Sequence, residues 1–431
     1  VLPDQYKKEF VVSFSSFDFN HVLRAAIISC GYVEPTPIQQ QTIEPALQGR
    51  DIIGLAQTGT GKTAAFVLPM LQRLLTGPRK KIRALIIAPT RELAEQIDGY
   101  IGKLAHGTGL RSVVLYGGVG KHGQINKLRQ GVEVVVACPG RLLDLLQQKF
   151  LDLKSVEMLV LDEADHMFDK GFLPDIKRIL KGLPEKRQNL IFSATMPPEI
   201  RNLVDCILHQ PVIVQINHTK PLKTITHLLF PVAQERKTAL LKNILSNRAE
   251  GGVLVFTRTK HKAKNLAGQL QKAGFNAISI QGNLSQNKRQ EALDGFKKGR
   301  FNILVATDIA ARGIDVSGIS HVINYDVPDT AETYTHRTGR TGRASRTGEA
   351  FTFASVGDGK MISLIEKMLG GKMARQTVSG FEEEIAMEEG AAVRRNTSRP
   401  PTSGRKKQLS RPAAKKRRSR ASGFDFGLRT V

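Results

Sequence analysis

Short apolar runs alternate with longer amphipathic stretches along most of this chain. Ile52-Ile53-Gly54-Leu55, Ala84-Leu85-Ile86-Ile87, Val134-Val135-Val136-Ala137, Met158-Leu159-Val160-Leu161 and Leu190-Ile191-Phe192 carry no polar position, and each is separated from the next by enough residues for a helix. A strand needs apolar side chains on both faces only when both faces are covered, so the rhythm predicts an α/β fold with a mostly parallel sheet between helices. After about residue 220 the rhythm restarts with Val253-Leu254-Val255-Phe256, Ala277-Ile278-Ser279-Ile280, Ile303-Leu304-Val305-Ala306, Val322-Ile323-Asn324-Tyr325 and Phe351-Thr352-Phe353. Two domains are expected, residues 1–216 and 224–370. A polar linker with Pro221 spans 217–223, and an extension and tail span 371–431.

Charge adds a feature that the apolar pattern does not carry. The 431 residues hold 64 Lys+Arg and 39 Asp+Glu, a formal net charge of +25. Residues 391–431 hold 13 Lys+Arg and one acidic residue, Asp425, so nearly half of the excess lies in the last tenth of the chain. With Pro, Ser, Thr and Gly between the cations, this segment cannot bury enough apolar surface to offset chain entropy, which predicts a disordered basic tail. Such a tail suits a salt-sensitive tether to phosphate backbones; the alternative is a solubilising tail without a partner. No apolar stretch reaches the ~18 residues needed to span a bilayer. The start, Val1-Leu2-Pro3-Asp4-Gln5-Tyr6, lacks the build of a secretory signal. Cys30, Cys138 and Cys206 suggest neither a disulfide framework nor a metal cluster, so a reducing, cytoplasmic setting is expected.

Polar clusters follow the apolar runs. In open parallel sheets the ligands bind beyond the carboxyl ends of the strands, so these clusters should share a rim. Ala56-Gln57-Thr58-Gly59-Thr60-Gly61-Lys62-Thr63 stands between a strand and a helix start. Its glycines let backbone N–H groups wrap a phosphate, Lys62 offers a charge to the β/γ-phosphates of ATP, and the Thr63 hydroxyl can ligate Mg²⁺. Asp162-Glu163-Ala164-Asp165 follows another strand. There Asp162 would hold Mg²⁺, partly through water, and Glu163 would polarise the attacking water as general base. His336-Arg337-Thr338-Gly339-Arg340-Thr341-Gly342-Arg343 sets arginines on the second array, where a planar guanidinium suits developing phosphoryl charge. Catalysis would then require both domains to close.

Together these strings resemble the DEAD-box ATP-dependent RNA helicases over about residues 10–370, which implies two tandem RecA-like parallel-sheet domains. The stretch from Gly31 to Gln39 is similar to the family's Q motif. By that likeness Gln39 reads the adenine edge and Phe14 stacks on the base, with Phe17 and Phe19 as alternative stackers and core packing as the plain alternative for all three. Ser193-Ala194-Thr195 resembles the motif that couples hydrolysis to strand separation, its hydroxyls bonding to the 162–165 loop. Asp315 would meet the ribose, and Arg340 and Arg343 would reach the γ-phosphate, with His336 in the same catalytic stretch. Pro89, Thr90, Arg91, Gly117, Gly118, Pro139, Gly140 and Arg141 in the first domain resemble RNA-facing positions, as do Arg258, Gln286, Arg289 and Thr307 in the second. Hydroxyls, amides, small residues and arginines suit sugar–phosphate contact without base readout. Two positions depart from the family pattern: Cys138 stands where Thr is usual, and Thr338 where Ile is usual. The 367–381 region and the tail are similar to the bacterial RhlE-like branch.

The resemblance implies local unwinding of short RNA duplexes, or remodelling of RNA–protein complexes, by RNA-stimulated ATP hydrolysis. An ATP-gated RNA clamp or annealing chaperone, and a DNA-directed translocase, are the competing readings. The RNA itself is not named by contacts of this kind; ribosomal-precursor and RNA-degradation complexes are both compatible partners.

Overall fold

The computed structural model describes residues 13–56, 59–216, 225–248, 251–311, 318–342 and 347–381. The first sheet contains β1 (Ile52–Leu55), β2 (Ala84–Ile87), β3 (Ser112–Leu115), β4 (Val134–Ala137), β5 (Met158–Leu161), β6 (Gln188–Ser193) and β7 (Val212–Gln215). The second contains β8 (Ile225–Pro231), β9 (Gly252–Phe256), β10 (Ala277–Ile280), β11 (Ile303–Ala306), β12 (Ile319–Asn324), β13 (Gly348–Ala354) and β14 (Ala374–Arg375). The orders are β3-β4-β2-β5-β6-β1-β7 and β10-β11-β9-β12-β13-β8-β14. Position for position these are one permutation, so the chain is built from two copies of a single all-parallel plan.

Alternate residues of each central strand feed opposite cores. In β4, Val134 and Val136 pack with Phe66, Ile86, Val160 and Phe192 on one face, while Val135 packs with Leu85, Ile87 and Leu159 on the other. The second sheet repeats the division. Val253, Val255, Val305 and Ile323 face one core, and Leu254, Phe256, Leu304 and Val322 the other. Burial on both faces is why these strands read as unbroken apolar runs. The helix Lys62–Leu74 is itself apolar nearly all round, because it lies between β1 and further helices; Gly54 of β1 leaves room for the Phe192 ring, which a Cβ there would strike.

β3, β7, β8 and β14 are absent from the apolar reading. β3 alternates buried and half-buried residues, and β7 leaves Ile213 63% exposed at the sheet edge. β8 carries Thr226 and His227, and β14 has two exposed residues. The second domain also extends past residue 370. β14 pairs with β8, Gln376 N–H donates to the Leu229 carbonyl, and Phe381 packs under Arg236 with the guanidinium carbon 4.9 Å from the ring centre. Part of the 371–431 segment expected to be extension and tail thus packs on this domain, through Ala374–Arg375, Gln376 and Phe381. The expected linker at 217–223 and the basic tail at 391–431 lie outside the described residues.

His227 gives the second domain a pH dependence. Its Nδ1 lies 2.9 Å from the Tyr334 hydroxyl, and burial pushes its pKa down to about 4 from an ordinary 6.5. The unfolded chain takes up this proton near 6.5 and the folded domain resists it until about 4, so the unfolded state binds more protons in that window. Stability is full above about pH 6.5 and falls as pH drops towards 4, by up to about 3 kcal/mol. Hydrogen exchange of the β8 amides should therefore accelerate on acidification in the wild-type chain, and much less so in His227→Gln.

Candidate functional site

The carboxyl ends of β1, β2, β4, β5 and β6 place their following loops on one rim. After β1 the chain turns through Gly61 into the helix Lys62–Leu74. Gly61 has φ +94°, and a Cβ there would stand 2.5 Å from Gln39 Nε2 and 2.9 Å from Thr36 Oγ1, so only glycine fits. The helix has no side-chain cap, which leaves its first amides facing the loop. Lys62 is buried and its Nζ donates to the Ala56 carbonyl at 2.6 Å, closing the loop on itself. Gly59 is exposed, and Thr60 and Thr63 are half-buried. Thr58 lies outside the described residues.

Gln39 and Phe14 are tied into the protein. Gln39 Oε1 accepts the Thr36 backbone N–H at 2.9 Å, and its Nε2 donates to the Gly61 carbonyl at 3.0 Å, so this side chain braces the phosphate loop directly. The Phe14 ring is buried edge-on against Tyr32 and Phe17, and Phe19 is buried beside Phe17.

β5 delivers the acidic residues. Asp162 is buried, and its carboxyl is pushed up to about 7: burial is the main cause, the charges of Glu163 and Asp165 add to it, and Lys62 opposes. Glu163 sits at φ +52°, a left-handed conformation that costs a residue with a Cβ, and it opens the helix Ala164–Asp169. Burial, the largest single influence on Glu163, would raise its pKa. The hydrogen bond to His166 at 3.2 Å and the charges of His166, Arg340 and Lys62 outweigh it and hold the carboxylate down at about 2. Asp165 turns the other way. Its Oδ2 accepts from the N–H groups of Ala194 and Thr195 and from Thr195 Oγ1, while its own N–H donates to Ser193 Oγ. The end of β6 is thereby bound to the acidic loop through both hydroxyls. An Asp162 carboxyl buried among other acids, with the Thr63 hydroxyl on the neighbouring helix turn, is a hard-oxygen donor set that fits Mg²⁺.

The second domain brings cations to this rim. Arg340 is buried and near enough to Glu163 to help depress its pKa. Half-buried His336 lines the same crevice with Arg337, Phe256 and Asp308. Arg337 was not singled out from the sequence, yet it is held by several partners. Its Nε and Nη2 grip both oxygens of Asp308 at 2.6 and 2.8 Å, and its Nη1 donates to Asn324 Oδ1 and to the Asp326 carbonyl. The guanidinium also stacks 5.0 Å from the Phe256 ring centre. This buried fork ties the residue after Thr307 to the helix Ala331–Thr338, which ends two residues before Arg340, a role that a planar donor set performs and a lysine cannot. The signal was available only as one more arginine in an arginine-rich string. Asp315 and Arg343 lie outside the described residues.

The residues that resemble RNA-facing positions divide into two groups. Thr90 caps its helix by accepting the Leu93 N–H, and Arg141 donates to Gln124 Oε1 and to the Val119 carbonyl. Pro89 and Pro139 are buried, Gly140 is exposed, and half-buried Thr307 follows β11. Arg258 is mostly exposed and donates to the Val327 carbonyl. The second group meets across the domains. Arg91 Nη1 donates to Gln286 Oε1 at 3.1 Å, and Arg289 pairs with Glu92 at 2.7 Å. Gln286 Nε2 and Arg289 Nε have no hydrogen-bond partner among the described residues. The two departures from the family pattern are explicable locally. Cys138 caps the helix Pro139–Gln147 without a side-chain bond, its thiol pushed up to about 12 by burial, and Thr338 Oγ1 satisfies itself on the Tyr334 carbonyl.

Comparison with known proteins covers both domains. Residues 36–203 match the DEAD/DEAH box helicase family model, and residues 236–345 match the helicase conserved C-terminal domain. The ATP-dependent RNA helicase CshA of Listeria monocytogenes is 41% identical over 87% of this chain and 72% of its own length. The DEAD-box ATP-dependent RNA helicase CshA of Bacillus cereus is 39% identical over 87% of this chain and 71% of its length. Among solved structures, S. cerevisiae Dbp5 bound to RNA and ADP BeF3 is similar with a TM-score of 0.78 at 31% identity, covering 85% of this chain and 95% of that one. Mss116p bound to ssRNA and AMP-PNP follows at 0.77 and 27%, covering 86% and 80%. With both family models matched and 41% identity to a relative over 87% of the chain, the chain belongs to the DEAD-box family of ATP-dependent RNA helicases.

Proposed function

We propose that ATP and single-stranded RNA together draw the two domains shut, that the closed state holds one strand of a short duplex in a geometry incompatible with pairing, and that hydrolysis reopens the cleft. The observation carrying this is the pair of contacts across the domains, Arg91 to Gln286 at 3.1 Å and Arg289 to Glu92 at 2.7 Å, with Arg340 near enough to Glu163 to help lower its pKa. The general base would belong to one domain and a cation close enough to stabilise its charge belongs to the other, so the reaction would wait on closure. Ser193 and Thr195, bonded to Asp165, connect the acidic loop to β6 and thereby to the body of the first domain. Asp162 and Thr63 would hold Mg²⁺, which supplies charge neutralisation for the triphosphate. Lys62 would exchange the Ala56 carbonyl for a phosphate oxygen.

Further elements of this proposal are RNA contact by the exposed and half-buried rim residues, adenine and ribose recognition by Gln39, Phe14 and Asp315, and a salt-sensitive RNA tether in residues 391–431. Ribosomal-precursor or RNA-degradation complexes in the cytoplasm are compatible settings, and the RhlE-like likeness rests on the 367–381 region and tail alone. The test compares ATP turnover with RNA and with DNA of matched sequence, for the full chain and for a chain ending at residue 390. RNA should stimulate turnover and DNA should not, the 2′-hydroxyl being the chemical difference. The shorter chain should keep stimulation but lose RNA affinity and salt dependence. Stimulation that disappears with the tail would instead favour the clamp or annealing reading.

A further inference from the structure

We propose that Gly118, with the Glu95–Tyr116 contact beside it, positions Arg91 for its contact with the second domain; this rests on the closing of the domains proposed above. Arg91 and Glu95 lie one helical turn apart on Arg91–Leu104, and both side chains reach the loop that follows β3. The Tyr116 hydroxyl donates to Glu95 Oε1, and the Tyr116 carbonyl accepts from Gln124 Nε2 at 3.0 Å, so the entry to the loop is held from two sides. Two residues on, Gly118 turns at φ +80°.

The guanidinium of Arg91 occupies the place where a side chain at 118 would begin. A Cβ on Gly118 would stand 2.6 Å from Arg91 Cζ, whereas at Gly117 the nearest Arg91 atom would be 3.9 Å away. From this seat Arg91 Nη1 reaches Gln286 Oε1 at 3.1 Å, next to the Glu92–Arg289 pair. Moving the guanidinium back to ordinary van der Waals distance would carry it roughly 1 Å, which is enough to break a bond that already lies near the upper limit for N–H···O. Buried Gln286 would then lose the partner of its carbonyl. A glycine needed only for a turn, or for the approach of an RNA backbone, would not require a neighbouring arginine to lie across it. Gly118 is therefore a positioning residue that acts through Arg91.

A double-mutant cycle tests this. RNA-stimulated kcat and the apparent KM for RNA are measured for the full chain and for Gly118→Ala, Gln286→Ala and the double variant, each checked by thermal unfolding. Each single change should lower kcat about ten-fold, and the double variant should be no slower than the slower single, because both remove the same contact. Two results would overturn the proposal: losses that multiply to about a hundred-fold, or a Gly118→Ala variant that raises only the KM for RNA. Should Gly118→Ala unfold, Tyr116→Phe decides, since it spares the backbone. Its loss of about three-fold should vanish in the Gln286→Ala background, and independent multiplication would refute the idea. A wild-type chain whose turnover ignores RNA would overturn domain closing itself, and this inference with it.

Discussion

Glu163→Gln is expected to lower ATP turnover about a thousand-fold while leaving ATP and RNA binding in place. Glutamine keeps the shape and the His166-facing oxygen but cannot accept a proton from water. The native carboxylate is held ionised by His166, Arg340 and Lys62 against the cost of its burial, so under the proposed mechanism it is the fixed negative centre that would polarise the attacking water. Its backbone is left-handed, at φ +52°, at the start of the helix Ala164–Asp169, and its carboxylate lies 3.2 Å from His166 on that helix. Without turnover the nucleotide stays intact and the domains stay closed, so RNA should dissociate slowly in the presence of ATP. Single-turnover hydrolysis and an RNA chase measure the two effects separately. Rapid RNA release from this variant with ATP bound would count against closure as the means of holding RNA.

Arg340→Ala should be nearly as damaging, by a different route. Removal of a cation that faces developing phosphoryl charge costs about a thousand-fold or more in comparable sites, or about 4 kcal/mol of transition-state stabilisation. The phosphate loop and Lys62 lie in the other domain, so ATP affinity without RNA should change little. The loss belongs in kcat, as expected for an interaction made only when the domains are together. Arg340→Lys should recover little, because an ammonium lacks the planar fork. A variant with weakened ATP binding and intact kcat would place Arg340 in ground-state binding instead. Arg337→Ala is not a substitute experiment: that side chain holds Asp308 and Asn324 inside the second domain, and its loss would leave several buried groups unpaired.

Much of this architecture was legible before any coordinates. The central strands are buried on both faces, and so they appear as unbroken apolar runs whose ends point to the ligand rim. β3, β7 and β14 lie at or near sheet edges, where one side faces solvent, and their mixed composition resembles a loop. The phosphate loop and the acidic loop are local in sequence, each a strand end followed by a helix start, so adjacent residues carry their chemistry. The bond of Ser193 and Thr195 to the acidic loop was expected from resemblance, and the structure shows these hydroxyls on Asp165 in particular.

Other functional features join residues that are far apart in the chain. Gln39 braces Gly61 across 22 positions, and Arg91 meets Gln286 across 195. Nothing in the string around Gly118 indicates that a side chain from another helix will lie across it. Arg337 and Arg340 are three residues apart with the same chemistry, yet one is held by a half-buried carboxylate and a buried amide, and the other lies near enough to Glu163 to help lower its pKa. Residue type and local spacing alone determined which groups could handle a phosphate, because backbone wrapping and strand-end placement are short-range. Which partners each arginine finds, which glycine lies under a guanidinium and which pairs join the domains were decided only by packing, since each depends on the distance and desolvation that tertiary contact creates.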